Sequence, residues 1–206
     1  GGFGSKGAAY PIQVVPALMA KKTGRPVMMR ISRAEEYAIG SARPGFQGRV
    51  KLGFREDGRL LACDLYVVQE NGPNGGFGDM SAAASAISIV YTPVAMRFRG
   101  ASVLTNTPPR GAQRGPGQNQ IANAIEPLFD KAARKLSVDR FAIRRVNAPD
   151  HDSRYGANRG AITSAYLGEA LDQGAEKFDW QKKQAQSGQR RGSKVIGVGI
   201  GQAFHS

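Results

Sequence analysis

Two glycine-rich segments constrain this chain more than any other feature of its sequence. Three glycines surround a phenylalanine at residues 1–6, and a second segment at residues 108–117 combines prolines with three glycines and two arginines. Glycine allows positive φ and lets backbone N–H groups approach a bound group closely. If the two segments lie together, their N–H groups and Arg110 or Arg114 would form a cradle for an anion, such as a phosphate or a metal cofactor.

Each segment also has a plainer interpretation. Residues 1–4 could be a frayed end or the remnant of a tag, and residues 108–117 could simply connect a strand to a helix. The chain opens without a methionine, and we expect that its natural beginning is missing. The choice between binding loops and plain connections therefore depends on the rest of the sequence.

The composition is typical of a folded, loop-rich protein. The chain has 206 residues, of which 41% are hydrophobic, and this length suits one large domain or two small ones. The 27 glycines and 11 prolines are spread between apolar runs. No apolar run approaches the roughly 20 residues that cross a bilayer, so we expect no membrane span. A lone Cys63 excludes an internal disulfide, and its apolar neighbours predict that it is buried.

The formal net charge of +13 raises the possibility of a nucleic-acid partner. The distribution of the charge argues against one, because the basic residues occur in short groups with acidic neighbours and without interleaved aromatic residues. Part of the charge would instead suit a solvated surface, an acidic partner subunit or a phosphate-bearing cofactor.

The first forty residues predict a helix, a strand and a second helix. Apolar residues at near-helical spacing predict a helix over residues 8–22, which Gly24 ends. Residues 26–31 have the apolar pattern of a buried strand. Ser32 and Glu35 then form a capping-box pattern that opens a short helix.

The later elements mix strands with helices. They are a β-hairpin over 48–68 that turns at Asp57-Gly58, a helix over 81–89, a strand over 95–104, helices over 119–136, 137–146 and 164–178, and a strand over 195–203. Regular βαβ alternation is missing from this order, which favours an α+β fold. The basic stretch at 181–192 is predicted to be exposed.

The sequence offers no persuasive group for proton transfer. The two histidines are His151, in a polar loop, and His205, close to the last residue. Asp150 and Asp152 beside His151 could bind a metal, but a surface turn is the more ordinary role for such a group. The carboxylates at residues 35–36 lie on a predicted short helix, where solvation is expected.

The ordered motifs resemble the molybdenum-cofactor-binding part of the xanthine dehydrogenase and aldehyde oxidase family, the molybdenum hydroxylases. Residues 1–6, Gly-Gly-Phe-Gly-Ser-Lys, resemble the family's first cofactor loop, Gly-Gly-Phe-Gly-Gly-Lys. Residues 105–117 resemble its second cofactor loop. Between them come Lys-Thr-Gly-Arg-Pro-Val at 22–27, Ser-Arg-Ala-Glu-Glu at 32–36 and the turn at Asp57-Gly58.

The resemblance implies a role for particular residues. It predicts cofactor contacts for Gly2, Phe3 and Gly4 in the first loop, and for Arg110, Gly111 and Ala112 in the second. The substrate-pocket positions that carry larger side chains in the family's purine hydroxylases correspond here to Gly7, Ala82, Ala83 and Ala112. These small residues disfavour a purine substrate. The catalytic base of the family lies on a later segment, so we expect it elsewhere, and this chain itself supplies no metal ligand.

The resemblance also implies a larger enzyme with an α+β fold that is incomplete on its own. The expected reaction is hydroxylation of an aldehyde or N-heteroaromatic substrate with oxygen from water. The expected cofactor is molybdenum-molybdopterin, with the cytosine dinucleotide as one form. The expected partners are the remaining molybdenum-binding polypeptide, a [2Fe-2S] subunit, and a flavin (FAD) or cytochrome (haem) subunit. A family relative that hydrates a C=C bond and a basic nucleic-acid- or protein-binding module are the alternatives.

We also predict how the chain is divided and where it acts. Residues 1–180 would form the central part of the first molybdenum-cofactor-binding domain, residues 181–192 an exposed basic linker, and residues 193–206 the start of a following strand or domain. The cytoplasm is slightly favoured over the periplasm as its compartment.

Overall fold

The computed structural model describes residues 2–5, 9–74 and 78–203 as an α+β fold. The predicted Lys6, Gly7 and His205 lie outside the described residues. After a 3₁₀ turn over Pro11–Gln13, the elements are α1 (Val14–Thr23), α2 (Arg33–Ile39), β1 (Phe46–Phe54), β2 (Leu60–Glu70), α3 (Asp79–Tyr91), β3 (Ala95–Val103), α4 (Gln118–Leu136), α5 (Arg140–Arg145), β4 (Arg154–Tyr155), β5 (Gly160–Ala161), α6 (Leu167–Phe178), α7 (Trp180–Gln184), β6 (Arg190–Arg191) and β7 (Lys194–Val195).

A three-stranded mixed sheet with the order β1-β2-β3 organises the chain. Strands β1 and β2 form the predicted antiparallel hairpin, with Val50 opposite Leu65. Strand β3 runs parallel to β2, with Leu65 opposite Phe98, and α3 connects the two strands. The α+β class predicted from the sequence is confirmed, and it contains this one βαβ unit. Strand β3 leads into the second glycine-rich segment, so the sheet fixes where that segment begins.

The core lies between one face of the sheet and helices α3, α4 and α5. Helix α4 faces it with an apolar residue on each successive turn, because a spacing of four keeps side chains on one helix face. Tyr91 of α3 stacks on Phe129 of α4 with ring centroids 4.0 Å apart. The buried apolar side chains are Leu60, Cys63, Leu65, Val67, Ala83, Ala86, Ile87, Val90, Tyr91, Ile121, Ile125, Phe129, Ala133 and Ile143. The prediction that Cys63 is buried is confirmed, and burial raises the pKa of its thiol to about 11.

The ends of the first two helices follow the predicted sequence signals. Gly24 ends α1 with φ of 65° and donates its N–H to the Ala20 carbonyl. Ser32 caps α2 through a complete capping box with Glu35. The bonds to Ser32 lower the pKa of Glu35, so this carboxylate serves the helix end. No side chain of α1 or α2 is buried.

Two predicted strands are wrong. Residues 26–31 have irregular backbone, and Met28 is 93% exposed. No described strand lies beside this segment to pair with its backbone, so apolar character alone does not make it a strand. In residues 195–203 only Val195 belongs to a strand, in the short β6-β7 hairpin. The rest passes over α4, where Gly201 lies beside the Glu126 carboxylate.

The basic stretch after residue 180 is connected to the preceding helices. Trp180 is buried, and its indole N–H donates to the Asp139 carboxylate that caps α5. Residues 181–183 and 187–195 are exposed. The domain boundaries predicted at residues 180 and 192 stay predictions. Within the described ranges, no helix has the length and hydropathy of a membrane span.

Candidate functional site

The two glycine-rich loops meet in the structure. The Arg114 N–H donates to the Phe3 carbonyl over 2.7 Å. Gly4 has φ of 93°, and a Cβ added there would lie 2.9 Å from the Ala112 carbonyl oxygen. Only glycine can adopt this positive φ and approach the Ala112 carbonyl this closely without a shift of the backbone. The structure thus brings Phe3 and Gly4 beside Ala112, although these positions are far apart in sequence.

The connection at residues 41–44, between α2 and β1, lies along the second loop. The Ala42 N–H donates to the Pro109 carbonyl, and the Ala42 carbonyl accepts from the Gly111 N–H, both over 3.0 Å. Gly111 is so close to Ser41 that an added Cβ would lie 2.1 Å from the Ser41 Oγ. The first half of the loop is therefore held by main-chain bonds.

Tyr10 links the first loop to the same connection. Its hydroxyl donates to the Ser5 carbonyl and accepts, over 3.4 Å, from the Ser41 N–H. Both loops are consequently fixed relative to the segment that enters the sheet.

Arg110 is held by the fold. Its guanidinium pairs with the Glu70 carboxylate at the end of β2 over 2.8 Å, and its side chain is only 16% exposed. The hydrogen bond from Arg110, followed by one from Thr107, lowers the pKa of Glu70. The Arg110 Nε is buried and has no hydrogen-bond partner. Sequence reasoning named Arg110 but gave no signal for Glu70 as its partner.

Arg114 has the opposite environment. Its side chain is exposed, while its backbone binds Phe3 and Arg43. Among the described residues, no hydrogen bond or ion pair reaches its guanidinium. A free cation therefore lies where the loops meet, as expected of an anion cradle that includes Arg110 or Arg114.

Arg43 holds the second half of the loop. One guanidinium nitrogen donates to the Gly115 carbonyl over 2.9 Å, and another donates to the Arg114 carbonyl over 2.6 Å. The first nitrogen also reaches the Gln120 side chain over 3.2 Å. This residue was missed by sequence reasoning, since it lies in a plain loop outside every recognised motif.

A buried carboxylate lies beneath the second loop. Asp79, the first residue of α3, has no exposed area and accepts from the Gln120 side chain over 3.3 Å. Burial raises its pKa, against the opposing effects of Gln120, Arg43 and the Gly117 N–H. Gly117 has φ of 73°, and a Cβ added there would lie 1.9 Å from the Asp79 carbonyl oxygen. An acidic residue at a helix start is an ordinary sequence feature, so nothing in the sequence predicted its burial.

The predicted substrate-pocket residues that the structure describes differ in burial. Ala112 lies at the junction, Ala82 is half-buried on α3, and Ala83 is fully buried in the core. Gly2 is exposed. The cofactor and substrate roles assigned to all these residues stay predictions.

The other candidate groups play local roles. His151 is exposed and lies edge-on to Tyr166, with centroids 5.2 Å apart, and Asp150 caps its own turn through Ser153. In the part of the chain that the structure describes, no three metal-ligating side chains lie together.

Comparison with known proteins gives the class of this domain. Residues 1–148 match the molybdopterin cofactor-binding domain. The chain belongs to this family, within the molybdenum hydroxylases.

Relatives across the family share this region. The chain is 31% identical over 202 residues to the putative xanthine dehydrogenase molybdenum-binding subunit XdhA of Escherichia coli (strain K12), covering 97% of this chain and 27% of the relative. It is 30% identical over 190 residues to the nicotinate hydroxylase hnxS of Emericella nidulans, covering 89% of this chain and 14% of the relative. The chain thus spans about a quarter or less of the length of these relatives.

A solved structure of the family has the same fold. Quinoline 2-oxidoreductase from Pseudomonas putida 86 superposes with a TM-score of 0.80 at 27% identity, covering 90% of this chain and 25% of that one. Aldehyde oxidoreductase from Desulfovibrio gigas gives a TM-score of 0.79 at 29% identity, covering 90% and 21%.

The residues present fit such a cofactor. Molybdopterin carries an anionic phosphate and sulfur ligands, which suit backbone N–H groups and an unpaired arginine. Gly4 lets the backbones of the two loops approach each other closely, and the exposed Arg114 side chain carries a positive charge beside them. The nearby Glu70 carboxylate is neutralised by Arg110.

Proposed function

We propose that this chain is the molybdopterin-binding portion of a molybdenum hydroxylase that acts on an aldehyde or N-heteroaromatic substrate. The observation that supports this most strongly is the close approach of Phe3 and Gly4 to Ala112 and Arg114 in a chain of the molybdopterin-binding family. The chain's own small residues, Gly7, Ala82 and Ala112, favour a substrate other than a purine.

The chain's residues would bind and orient the cofactor. Gly2, Phe3 and Gly4 would lie along one side of it, and Gly111 and Ala112 along the other. Arg114 is the better candidate for a direct ionic contact, because the Arg110 guanidinium is already paired with Glu70. Arg110 would then stabilise the second loop through its ion pair with Glu70. When bound, the cofactor supplies the two-electron redox chemistry, and the protein supplies positioning.

The exposed Phe3 ring has a separate role in this proposal. It is 58% exposed at the junction of the loops. An apolar ring at this place would cover one side of the reacting group and exclude water from it. The catalytic base would come from a later segment of the enzyme.

The assembled enzyme would need further polypeptides. We infer a remaining molybdenum-binding part, a [2Fe-2S] subunit and a flavin or cytochrome subunit to remove electrons. The pterin would carry a cytosine dinucleotide, and the complex would act in the cytoplasm. The need for further polypeptides is supported by the Escherichia coli relatives that are named as molybdenum-binding subunits of xanthine dehydrogenase.

Isotope labelling tests the proposed reaction. The assembled enzyme is incubated in ¹⁸O-labelled water with a panel of aldehydes and N-heteroaromatic compounds, with and without an artificial electron acceptor. We expect a hydroxylated product that contains ¹⁸O and forms only when the acceptor is present. Product formation without an acceptor, with water added across a C=C bond, would instead identify a hydratase.

A further inference from the structure

We propose that Arg43 is a positioning residue that fixes the second cofactor loop in its binding conformation. The inference rests on the proposed function, and it assigns Arg43 no contact with the cofactor. It concerns how residues 114–117 keep a conformation in which the Arg114 side chain is exposed while its backbone N–H binds the Phe3 carbonyl.

The contacts of Arg43 are specific to the backbone of this loop. Its two terminal nitrogens donate to adjacent carbonyls, those of Arg114 and Gly115, over 2.6 and 2.9 Å. A planar guanidinium can bind two acceptors at once in a fixed geometry. Successive carbonyls that both turn toward Arg43 fix the orientation of the peptide units on either side of Gly115.

The rest of the loop has its own restraints, and the Gly115 carbonyl also accepts from the Asn119 N–H over 3.2 Å. Backbone bonds from Ala42 hold residues 109 and 111, and the Phe3 carbonyl holds the Arg114 N–H. Gly117 lies against the start of α3, where a Cβ added to it would be 1.9 Å from the Asp79 carbonyl oxygen. Among the described residues, Arg43 is the only side chain that binds the carbonyls of both Arg114 and Gly115.

The need for a restraint follows from the local sequence. Gly115 and Gly117 both have positive φ, at 71° and 73°. Glycine has many backbone conformations of similar energy, so such a segment is ordered only if contacts select one. Arg43 also binds Gln120 in the first turn of α4, and Gln120 binds Asp79. The arginine therefore connects the loop to the start of the helix that follows it.

The test compares Arg43→Gln and Arg43→Lys in the assembled enzyme, with Arg55→Lys as the matched control. Arg55 forms an exposed pair with Asp57 in the β1-β2 turn. The first readout is hydrogen exchange of peptides covering residues 111–120. The second is kcat and KM, with kcat expressed per bound molybdenum. The thermal unfolding midpoint is recorded for each variant.

We expect faster exchange at residues 111–120 in Arg43→Gln and a fall in kcat per molybdenum on the order of 10²-fold, as for a displacement of about 1 Å at a reacting centre. Arg43→Lys should recover part of both effects because lysine can bind one carbonyl. Arg55→Lys should match the wild type in both readouts.

Two results would overturn the role of Arg43. One is unchanged exchange at residues 111–120 in Arg43→Gln. The other is a lower unfolding midpoint with wild-type kcat per molybdenum and no recovery by lysine, which describes a purely structural residue. A wild-type enzyme without molybdenum and pterin would instead overturn the proposed function, while the exchange data would still report whether Arg43 holds the loop.

Discussion

Two arginines four residues apart show how a single neighbour decides what a side chain can do. Arg110 and Arg114 belong to the same loop and have the same chemistry, so the residues alone could name both, and only the family resemblance assigned the cofactor contact to Arg110. In the fold, the end of β2 places Glu70 against Arg110, while Arg114 extends into solvent beside Phe3. The ionic contact to a cofactor therefore belongs to Arg114 in our proposal.

Gly4 should be intolerant of any side chain. Gly4→Ala would place a Cβ 2.9 Å from the Ala112 carbonyl at φ of 93°, so the two loops must separate. We expect a lower molybdenum and pterin content in the purified enzyme, measured by elemental analysis and pterin fluorescence.

Gly24→Ala is the control for backbone strain alone, because Gly24 has φ of 65° but open space around it. This variant should cost about 1 kcal/mol of stability and keep its cofactor. Equal cofactor loss in both variants would show that the contact with Ala112 is unimportant.

Asp79 should make the stability of the protein depend on pH. Its folded-state pKa is raised by burial, so the folded protein binds this proton more tightly than the unfolded chain does. The stabilisation is complete below the ordinary pKa of 3.8 and is lost as the pH rises through the folded-state value. We expect the free energy of unfolding of the wild type, relative to Asp79→Asn, to fall as the pH rises from 4 and then to level off.

Denaturant titrations of both proteins at pH values from 4 to 8 measure this difference. A difference that stays constant, or that grows with pH, would contradict a raised pKa at Asp79.

At the scale of elements, the sequence predicted the features that depend on interactions between residues close in the chain. The capping box at Ser32, the hairpin turn at Asp57-Gly58 and the four-residue spacing in α4 each act within a few residues, and all three predictions are confirmed. The predictions of strands at 26–31 and 195–203 are wrong because a strand also needs a neighbouring strand that pairs with its backbone. Apolar composition does not reveal whether a partner is present.

A buried arginine of α5 joins this helix to carboxylates of α4. Arg144 of α5 has no exposed side-chain area and pairs with Glu126 over 2.7 Å and with Asp130 over 2.9 Å. Burial raises the pKa of Glu126, and Arg144 opposes that rise. Arg144→Met would leave Glu126 without its cation and Asp130 with only the longer pair to Arg140 at 3.9 Å, and we expect a loss of about 3–5 kcal/mol in the free energy of unfolding.

Arg145→Met is the matched control in the same helix. Arg145 pairs with Asp172 at the surface, where both side chains are about half exposed, so the loss should be about 0.5 kcal/mol or less. Denaturant unfolding measures both values. Similar losses for the two variants would contradict a structural role for the buried pair.

At the scale of the whole molecule, the site is made by distant parts of one fold. Residues 2–5, 41–44 and 109–117 meet through backbone hydrogen bonds, from Arg114 to Phe3 and between Ala42 and residues 109 and 111. The sequence predicted the two loops and the family through ordered motifs. It could not predict Arg43, Glu70 or Asp79, because their roles arise from contacts across 40 to 77 residues of chain.

The central claim is that these converging loops bind molybdopterin, and the metal and pterin content of the native complex tests it most directly. The protein is purified with the polypeptides that accompany it, and molybdenum and pterin are quantified per copy of this chain. We predict about one of each per copy, with both lowered in Gly4→Ala. An active complex that contains neither molybdenum nor pterin would contradict the claim.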